Sequence, residues 1–376
     1  MVSSVLKSAA VRQRSITIAG RPVGGAHPPY VIAELSANHN GDIERAFAIM
    51  AAAKRAGADA IKLQTYTADT ITIDHDGPGF RIEDGLWRGR TLHELYSEAQ
   101  MPWEWHVPLF QRGRELGLAV FSSVFDETAI DLLESLGAPA YKIASFEAID
   151  LPLIERAART GKPLIISTGM ASPNEIVEAV VTARANGCND LAMLYCVSGY
   201  PTPAAEANLR TLPDLAQRFG TVAGLSDHTL GIGVAVAAVA LGAAIVEKHV
   251  TLRRSDGGPD SAFSLEPEEL TALCAACRDA HAALGEVRYG GKESERSNIL
   301  FRRSLYAVKE IAAGTPLTVQ NIRSIRPGHG LAPKHLPDLL GRIARCTIPR
   351  GTPLSWELLE GSTSGTSKQP TIRRAG

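Results

Sequence analysis

A chain of 376 residues, 45% of them hydrophobic, can bury one large α/β core and a small companion domain. Its 39 Lys and Arg against 40 Asp and Glu give a net charge of −1, which speaks against a nucleic-acid or anionic-membrane surface. No apolar run approaches transmembrane length and residues 1–14 lack the apolar core of a secretion signal, so the chain reads as cytoplasmic. The five cysteines (Cys188, Cys196, Cys274, Cys277, Cys346) are scattered and odd in number, which argues against a disulfide framework. Cys274-Ala-Ala-Cys277 falls mid-helix in an apolar stretch and reads as buried core.

A hairpin is expected over Ser15–Val23, turning at Gly20. Eight apolar runs follow: Val31–Leu35, Ala60–Gln64, Leu118–Ser123, Ala140–Ser145, Pro163–Thr168, Leu191–Ser198, Thr221–His228 and Ala243–Val250. Helical patterns lie between them, at Ile43–Ala56, Trp103–Leu116, Glu127–Leu136, Ile149–Arg159, Asn174–Ala185 and Leu209–Phe219, with a last one at Leu265–Leu284. Eight parallel-type strands alternating with helices predict an α/β fold, a (β/α)8 TIM barrel, whose active site lies at the carboxyl ends of the strands. A doubly wound sheet is the alternative, but the Gly-rich fingerprint it wants after the first strand is missing. The stretch Gly285–Asn298 is charged and reads as a linker. Beyond it come short β-like runs (Ser304–Val308, Cys346–Ile348) and Gly/Pro turns, a second domain of about sixty residues that needs a docking surface. The domains are therefore drawn at 1–30 (extension with hairpin), 31–284 (barrel), 285–300 (linker), 301–360 (small domain) and 361–376 (a tail expected to be disordered).

Strand side chains alternate faces, so Gly224, Ser226 and His228 share one face, as do Ile245, Glu247 and His249. A lone strand histidine is usually structural. Two at the ends of adjacent strands, both inward, read as a metal site with positions open for substrate. Other strand ends offer Glu34 and Ser36, Lys62 and Gln64, Ser123, Lys142 with Ser145 and Glu147, Ser167, and Ser198 with Tyr200. One buried lysine would pass as a structural ion pair, but two lysines amid hydroxyls suit a compact anion such as phosphate or carboxylate. Glu247 is either an orienter of His249 or a buried structural carboxylate.

Glu34-Leu35-Ser36-Ala37-Asn38-His39-Asn40-Gly41, Lys62-Leu63-Gln64-Thr65-Tyr66 and Tyr141-Lys142-Ile143-Ala144-Ser145-Phe146-Glu147 resemble the sialic acid synthase family. So do Leu225-Ser226-Asp227-His228-Thr229-Leu230-Gly231, Glu247-Lys248-His249, Gly257-Gly258-Pro259-Asp260, and the Arg326-Pro327-Gly328 of an antifreeze-like (SAF) domain of β-clip type. The likeness covers roughly residues 15–360. Within the family, Phe80–Leu92 and Gly257–Leu265 look like the pseudaminic acid synthase branch.

The resemblance implies a transferase that condenses phosphoenolpyruvate with 2,4-diacetamido-2,4,6-trideoxy-L-altrose and water, giving pseudaminic acid and phosphate. It implies a divalent metal (manganese, with magnesium or cobalt as alternatives) on His228 and His249, with Glu34 as catalytic carboxylate. Phosphoenolpyruvate falls to Lys62, Ser123, Lys142, Ser145, Ser167, Ser198 and Ser226. The acetamido sugar falls to Gln64, Glu147, Tyr200, Asp260 and, from the other subunit of a domain-swapped homodimer, Arg326. Phe80, Trp87 and Phe263 are apolar contacts to weigh for acceptor choice. Two departures from the family, Val124 in place of proline and Val197-Ser198-Gly199 at a less hydroxyl-rich strand end, are expected to reshape the phosphate pocket slightly. The competing readings are an N-acetylneuraminate or legionaminate synthase of the same mechanism, and a non-catalytic sugar-binding protein.

Overall fold

The computed structural model describes residues 14–361; residues 1–13 of the extension and the tail from 362 onward, expected to be disordered, lie outside the described residues. Strands β1 (Ser15–Ile18) and β2 (Arg21–Gly24) pair antiparallel as the expected hairpin, with Ala19 and Gly20 at positive φ in its turn. Eight parallel strands follow: β3 (Tyr30–Glu34), β4 (Ala60–Thr65), β5 (Ala119–Val124), β6 (Tyr141–Ile143), β7 (Leu164–Ser167), β8 (Leu191–Cys196), β9 (Val222–Asp227) and β10 (Ile245–His249). They close in sequence order, with β10 returning to pair with β3 in the register His249↔Glu34.

Every strand sorts its residues by the two-residue period of the pleat. Ile32, Ala60, Phe121, Ile165, Leu194, Val222 and Ile245 fill the barrel, where Ile16, Ile18 and Val23 of the hairpin join them and plug its amino-terminal end. The alternate residues, among them Val31, Ile61, Leu63, Val120, Ile143, Leu164, Ile166, Met193, Leu225 and Val246, face the helices. Each such burial contributes about 1.5–3 kcal/mol. Gly224 is fixed by space: a Cβ there would stand 2.6 Å from Leu194 Cδ2 and 2.6 Å from the Ile245 carbonyl oxygen.

The outer layer comprises α1 (Ile43–Ala56), α2 (Ala68–Ile71), α3 (Leu92–Ala99), α4 (His106–Leu116), α5 (Glu127–Leu136), α6 (Leu151–Ala158), α7 (Pro173–Ala185), α8 (Thr211–Phe219), α9 (Gly233–Ala240) and α10 (Pro267–Leu284). The carboxylates of Asp42, Asp126 and Asp150 accept backbone N–H groups at the starts of α1, α5 and α6, satisfying donors that a helix leaves free. Most expected elements shift at their ends by one or two residues, and two of the shifts have a visible cause. Trp103–Trp105 forms a 3-10 turn before α4, and β6 stops at Ile143 because Ser145 already has helical dihedrals and leads into a 3-10 turn over Phe146–Ile149.

The chain divides into two compact units at Gly285/Glu286. In the second, Glu293–Phe301, which takes in the end of the stretch read as linker, winds into a 3-10 helix. Strands β11 (Ser304–Ala307) and β12 (Ile322–Ile325) pair antiparallel, followed by the short α11 (Leu336–Leu339). Cys346–Ile348 makes only an isolated bridge, Ile311↔Ile348. A separate small core of Leu305, Ile311, Leu317, Ile322, Leu339, Ile348 and Leu354 holds the unit together.

Candidate active site

The inward parity of the barrel strands carries polar residues to the carboxyl-terminal mouth once the apolar layers end. On β3 the sequence Tyr30, Ile32, Glu34 moves from core to charge. On β4 it is Ala60, Lys62, Gln64, and on β10 Ile245, Glu247, His249. Lys62 lies 2.6 Å from Glu34 Oε2 and 3.6 Å from Glu247 Oε1, and donates to Ser123 Oγ at 2.8 Å. Gln64 Nε2 donates to Glu34 Oε1 and to Ser36 Oγ, each at 3.0 Å, and the Ser36 hydroxyl donates to Asp260. Burial pushes the Glu34 carboxyl up to about 7 against the pull of Lys62. Burial raises Asp260 as well, opposed by the Ser36 hydrogen bond.

Lys142 is wholly buried and has a different setting. Its ammonium donates to the Ile143 carbonyl at 2.9 Å, and no carboxylate lies within ion-pair distance of it among the described residues. Burial lowers its pKa although Glu247 pulls the other way. Around it the strand ends supply hydroxyls: Ser198 Oγ donates to Ser145 Oγ at 3.1 Å, Ser226 Oγ to Glu247 Oε1 at 3.2 Å, and Ser167 Oγ is buried without a partner. Gly169, at φ +48°, keeps this cradle open, since a Cβ there would stand 2.3 Å from Ser145 Cβ and 3.0 Å from Ser198 Oγ.

The two histidines meet as the sequence implied. Their ring centroids are 5.4 Å apart. His228 Nδ1 faces the Val197 carbonyl at 3.0 Å, an acceptor to which it must donate, which places a proton on Nδ1. His249 Nδ1 is buried with no hydrogen-bond partner and lies 3.9 Å from Asp260 Oδ2. Burial, then His228 and Lys62, hold the His249 imidazole far below its usual pKa. A neutral ring with an unclaimed nitrogen beside an oriented one fits a divalent ion. Among the described residues no three His, Cys, Asp or Glu side chains converge with ligand spacing.

One alternative is decided, one expectation is corrected and one residue is added. Of the two readings of Glu247, the buried structural carboxylate is the one found: it pairs with Lys62 and Ser226. Val124 packs among the helix-facing residues, so its side chain leaves the phosphate pocket untouched. Cys196, assigned no role from sequence beyond the absence of a disulfide framework, lies at the site: its Sγ is 3.6 Å from Ser145 Oγ, 3.9 Å from Ser198 Oγ and 3.8 Å from His228 Nδ1. Its shared parity with Ser198 was the available signal.

An aromatic wall flanks the histidines. Tyr200 lies 4.5 Å from His228 and 5.3 Å from Phe263, and Phe263 lies 4.9 Å from His249. Trp87 packs on Tyr200 at 5.5 Å, whereas Phe80 packs on His75 instead. Glu147, pushed up to about 7 by burial, keeps an unpartnered Oε2. Arg326 is exposed on the second unit.

A closed barrel whose mouth joins a basic, hydroxyl-rich cradle to a histidine pair and a polar-aromatic pocket defines a TIM-barrel enzyme handling a small anion and a polar second substrate. The comparisons narrow this. Residues 49–289 match the NeuB family and residues 302–360 the SAF domain, so the chain belongs to the NeuB family. It is 44% identical to the pseudaminic acid synthase of Helicobacter pylori over 89% of this chain and 99% of that one. Identity to the N,N'-diacetyllegionaminic acid synthase of Legionella pneumophila is 35%, over 90% of this chain and 97% of that one. A crystal structure of the N-acetylneuraminic acid (sialic acid) synthetase from Leptospira borgpetersenii, in complex with citrate, superposes with a TM-score of 0.68 at 31% identity, covering 76% of this chain and 95% of that one.

Proposed function

We propose that this chain condenses phosphoenolpyruvate with 2,4-diacetamido-2,4,6-trideoxy-L-altrose, forming pseudaminic acid and phosphate. The observation that carries the reading is Lys142: a buried cation with no carboxylate partner among the described residues, on a strand whose inward-facing neighbour in register is Ser123, in a barrel whose mouth also carries a histidine pair. A protein that only binds sugar has no use for that combination. The higher identity to the pseudaminic acid synthase than to the diacetyllegionaminic acid synthase supports the trideoxy acceptor over the mannosamine-type one.

In this reading Lys142 and the hydroxyls of Ser123, Ser145, Ser167, Ser198 and Ser226 hold the phosphate and carboxylate of phosphoenolpyruvate. Lys62 supplies positive charge nearby while it neutralises Glu34 and Glu247. The acceptor aldehyde lies toward His228 and His249, with Gln64, Glu147, Tyr200 and Asp260 around its hydroxyl and amide groups. A divalent ion on the two histidines, manganese by preference, would act as a Lewis acid toward the aldehyde oxygen. The methylene carbon of phosphoenolpyruvate attacks the aldehyde carbon, water adds at C2, and the tetrahedral adduct expels phosphate. Glu34, close to neutrality in its proton equilibrium, is placed to take the proton from that water.

The reading includes a cytoplasmic site of action and a homodimer in which the second unit of each subunit serves the barrel of the other. Phe146, Ile149, Met170 and Leu230, on the loops after β6, β7 and β9, are each 60–65% exposed, an apolar rim that supports such docking. Among the described residues no helix is long and apolar enough to cross a membrane.

Phosphate release from phosphoenolpyruvate tests the function. It should require both the trideoxy sugar and a divalent metal, and His228→Ala should abolish it and the binding of manganese while the circular dichroism spectrum is unchanged. Release that is independent of sugar, or equally fast with chelator, refutes the reading.

A further inference from the structure

Between α2 and α3 the chain makes an excursion that the barrel does not need. Within it Arg81 bridges Thr91, Ile82 N–H donates to the Arg90 carbonyl at 2.9 Å, and Gly89 N–H returns to the Ile82 carbonyl at 2.8 Å. The result is a narrow strap with Trp87 near its tip. The indole Nε1–H donates to the Pro259 carbonyl at 2.8 Å, tying the tip to the loop that carries Asp260 and Phe263. That loop follows β10 and the strap follows β4, while β3 lies between these two strands. The strap therefore passes over the carboxyl end of β3, the strand of Glu34.

We infer that Trp87 is a specificity-determining residue, presenting an apolar wall to the deoxy, methyl-bearing end of the acceptor and selecting against a hexosamine with a 6-hydroxyl. The inference rests on the acceptor reading above. The indole N–H is consumed by Pro259, so the half-buried ring offers only its hydrocarbon face and edge. It packs on Tyr200, which packs on His228. A six-carbon open chain reaches about 6 Å from end to end by its bond lengths. With its aldehyde end at the histidines, its far end falls within reach of the Tyr200–Trp87 pair. Gln64 and Glu147 belong to other strands and loops, and although the Tyr200 hydroxyl and Asp260 stand near, the Trp87 face itself has no group with which a 6-hydroxyl could bond. Burying a hydroxyl there without a partner is unfavourable, whereas a methyl group gains contact.

The experiment compares kcat/KM for 2,4-diacetamido-2,4,6-trideoxy-L-altrose and N-acetylmannosamine in wild type, Trp87→Ala and Trp87→Phe, alongside the phosphoenolpyruvate KM and the melting temperature. The expected result is that Trp87→Ala reduces the preference for the trideoxy sugar by about tenfold, the size of effect one apolar contact has on discrimination. Trp87→Phe, which keeps an aromatic face but loses the tether, should retain most of the preference, and the phosphoenolpyruvate KM should stay within about twofold. If the wild type prefers the trideoxy sugar and Trp87→Ala leaves the ratio unchanged, or lowers both sugars together, the specificity role is wrong while the acceptor reading stands. If the wild type itself prefers N-acetylmannosamine, the acceptor reading fails and takes the inference with it.

Discussion

Lys62 Nζ lies 2.6 Å from Glu34 Oε2 on the neighbouring strand, and both side chains are enclosed by the barrel mouth. Because Lys62 also serves Glu247, its charge is spoken for, while that of Lys142 is not. The two lysines, equivalent by sequence position, should respond differently to truncation. Lys142→Ala is expected to weaken phosphoenolpyruvate binding by about 2–5 kcal/mol, thirtyfold or more in Kd. Lys62→Ala strands two buried carboxylates and is expected to cost about 3–5 kcal/mol of folding stability. Calorimetric titration and urea unfolding separate the two effects, and an unchanged phosphoenolpyruvate Kd in Lys142→Ala would remove that residue from the cradle.

A second buried pair stands on the helix-facing side of β9 and β10, the strands that lead to the two histidines. Lys248 Nζ lies 2.6 Å from Asp227 Oδ2 and donates to the Thr229 carbonyl at 2.5 Å, and Asp227 Oδ1 accepts the Thr229 N–H at 2.9 Å. Asp227 and Lys248 are also the last paired residues of β9 and β10, one position before the site histidines. With side chains no more than 1% exposed, a lone charge here has no solvent to turn to. Lys248→Met should therefore destabilise the fold by about 3–5 kcal/mol, and adding Asp227→Asn should recover a good part of that loss. Additive single and double variants in urea unfolding would show that the pair is not coupled.

The alternation of Ile245, Glu247 and His249, and of Gly224, Ser226 and His228, was legible because a two-residue period is a property of the backbone that barrel closure does not alter. What the sequence did not reveal were the partnerships within the mouth. Which carboxylate Lys62 reaches depends on lateral distance between strands, and linear spacing does not encode it. For this reason the sequence leaves Glu247 open between His249 and a structural role, and the structure pairs it with the lysine on β4. Cys196 was hidden for a different reason: a thiol is as much at home in a core as in a site, and only its parity with Ser198 set it apart. The misplaced concern over Val124 came from comparing positions without asking which face they occupy; it stands beside Ser123 in sequence and on the other side of the strand in space.

Glu147 makes pH a probe of the acceptor pocket. Burial raises its folded-state pKa to about 7, from an ordinary value of 4.5. Between those two values the folded chain retains a proton that the unfolded chain has released, so this group makes stability fall as pH rises through that window and level off above it. Glu147→Gln should flatten the dependence of melting temperature between about pH 5 and 7, though Glu34 continues to contribute in the same direction. Protonated Glu147 donates a hydrogen bond and ionised Glu147 does not, so the acceptor KM of wild type should climb above about pH 7 and that of Glu147→Gln should not. Parallel profiles for the two proteins would place Glu147 outside the acceptor's reach.

The proposed swapped dimer predicts complementation between defective subunits. Arg326→Ala and Glu34→Ala protomers should each be inactive alone, the first for want of a guanidinium to donate to sugar oxygens, the second for want of the buried carboxylate. In a heterodimer the barrel with an intact Glu34 receives the intact Arg326 of its partner, while the other site lacks both groups. Random assortment of equal amounts makes half of the dimers mixed, each with one whole site, so recovered activity should approach about a quarter of wild type. If Arg326 instead serves its own barrel, every site in every dimer lacks one group and mixing restores nothing. Subunit exchange is verified independently by mass labelling, so confirmed heterodimers without activity rule out the trans arrangement.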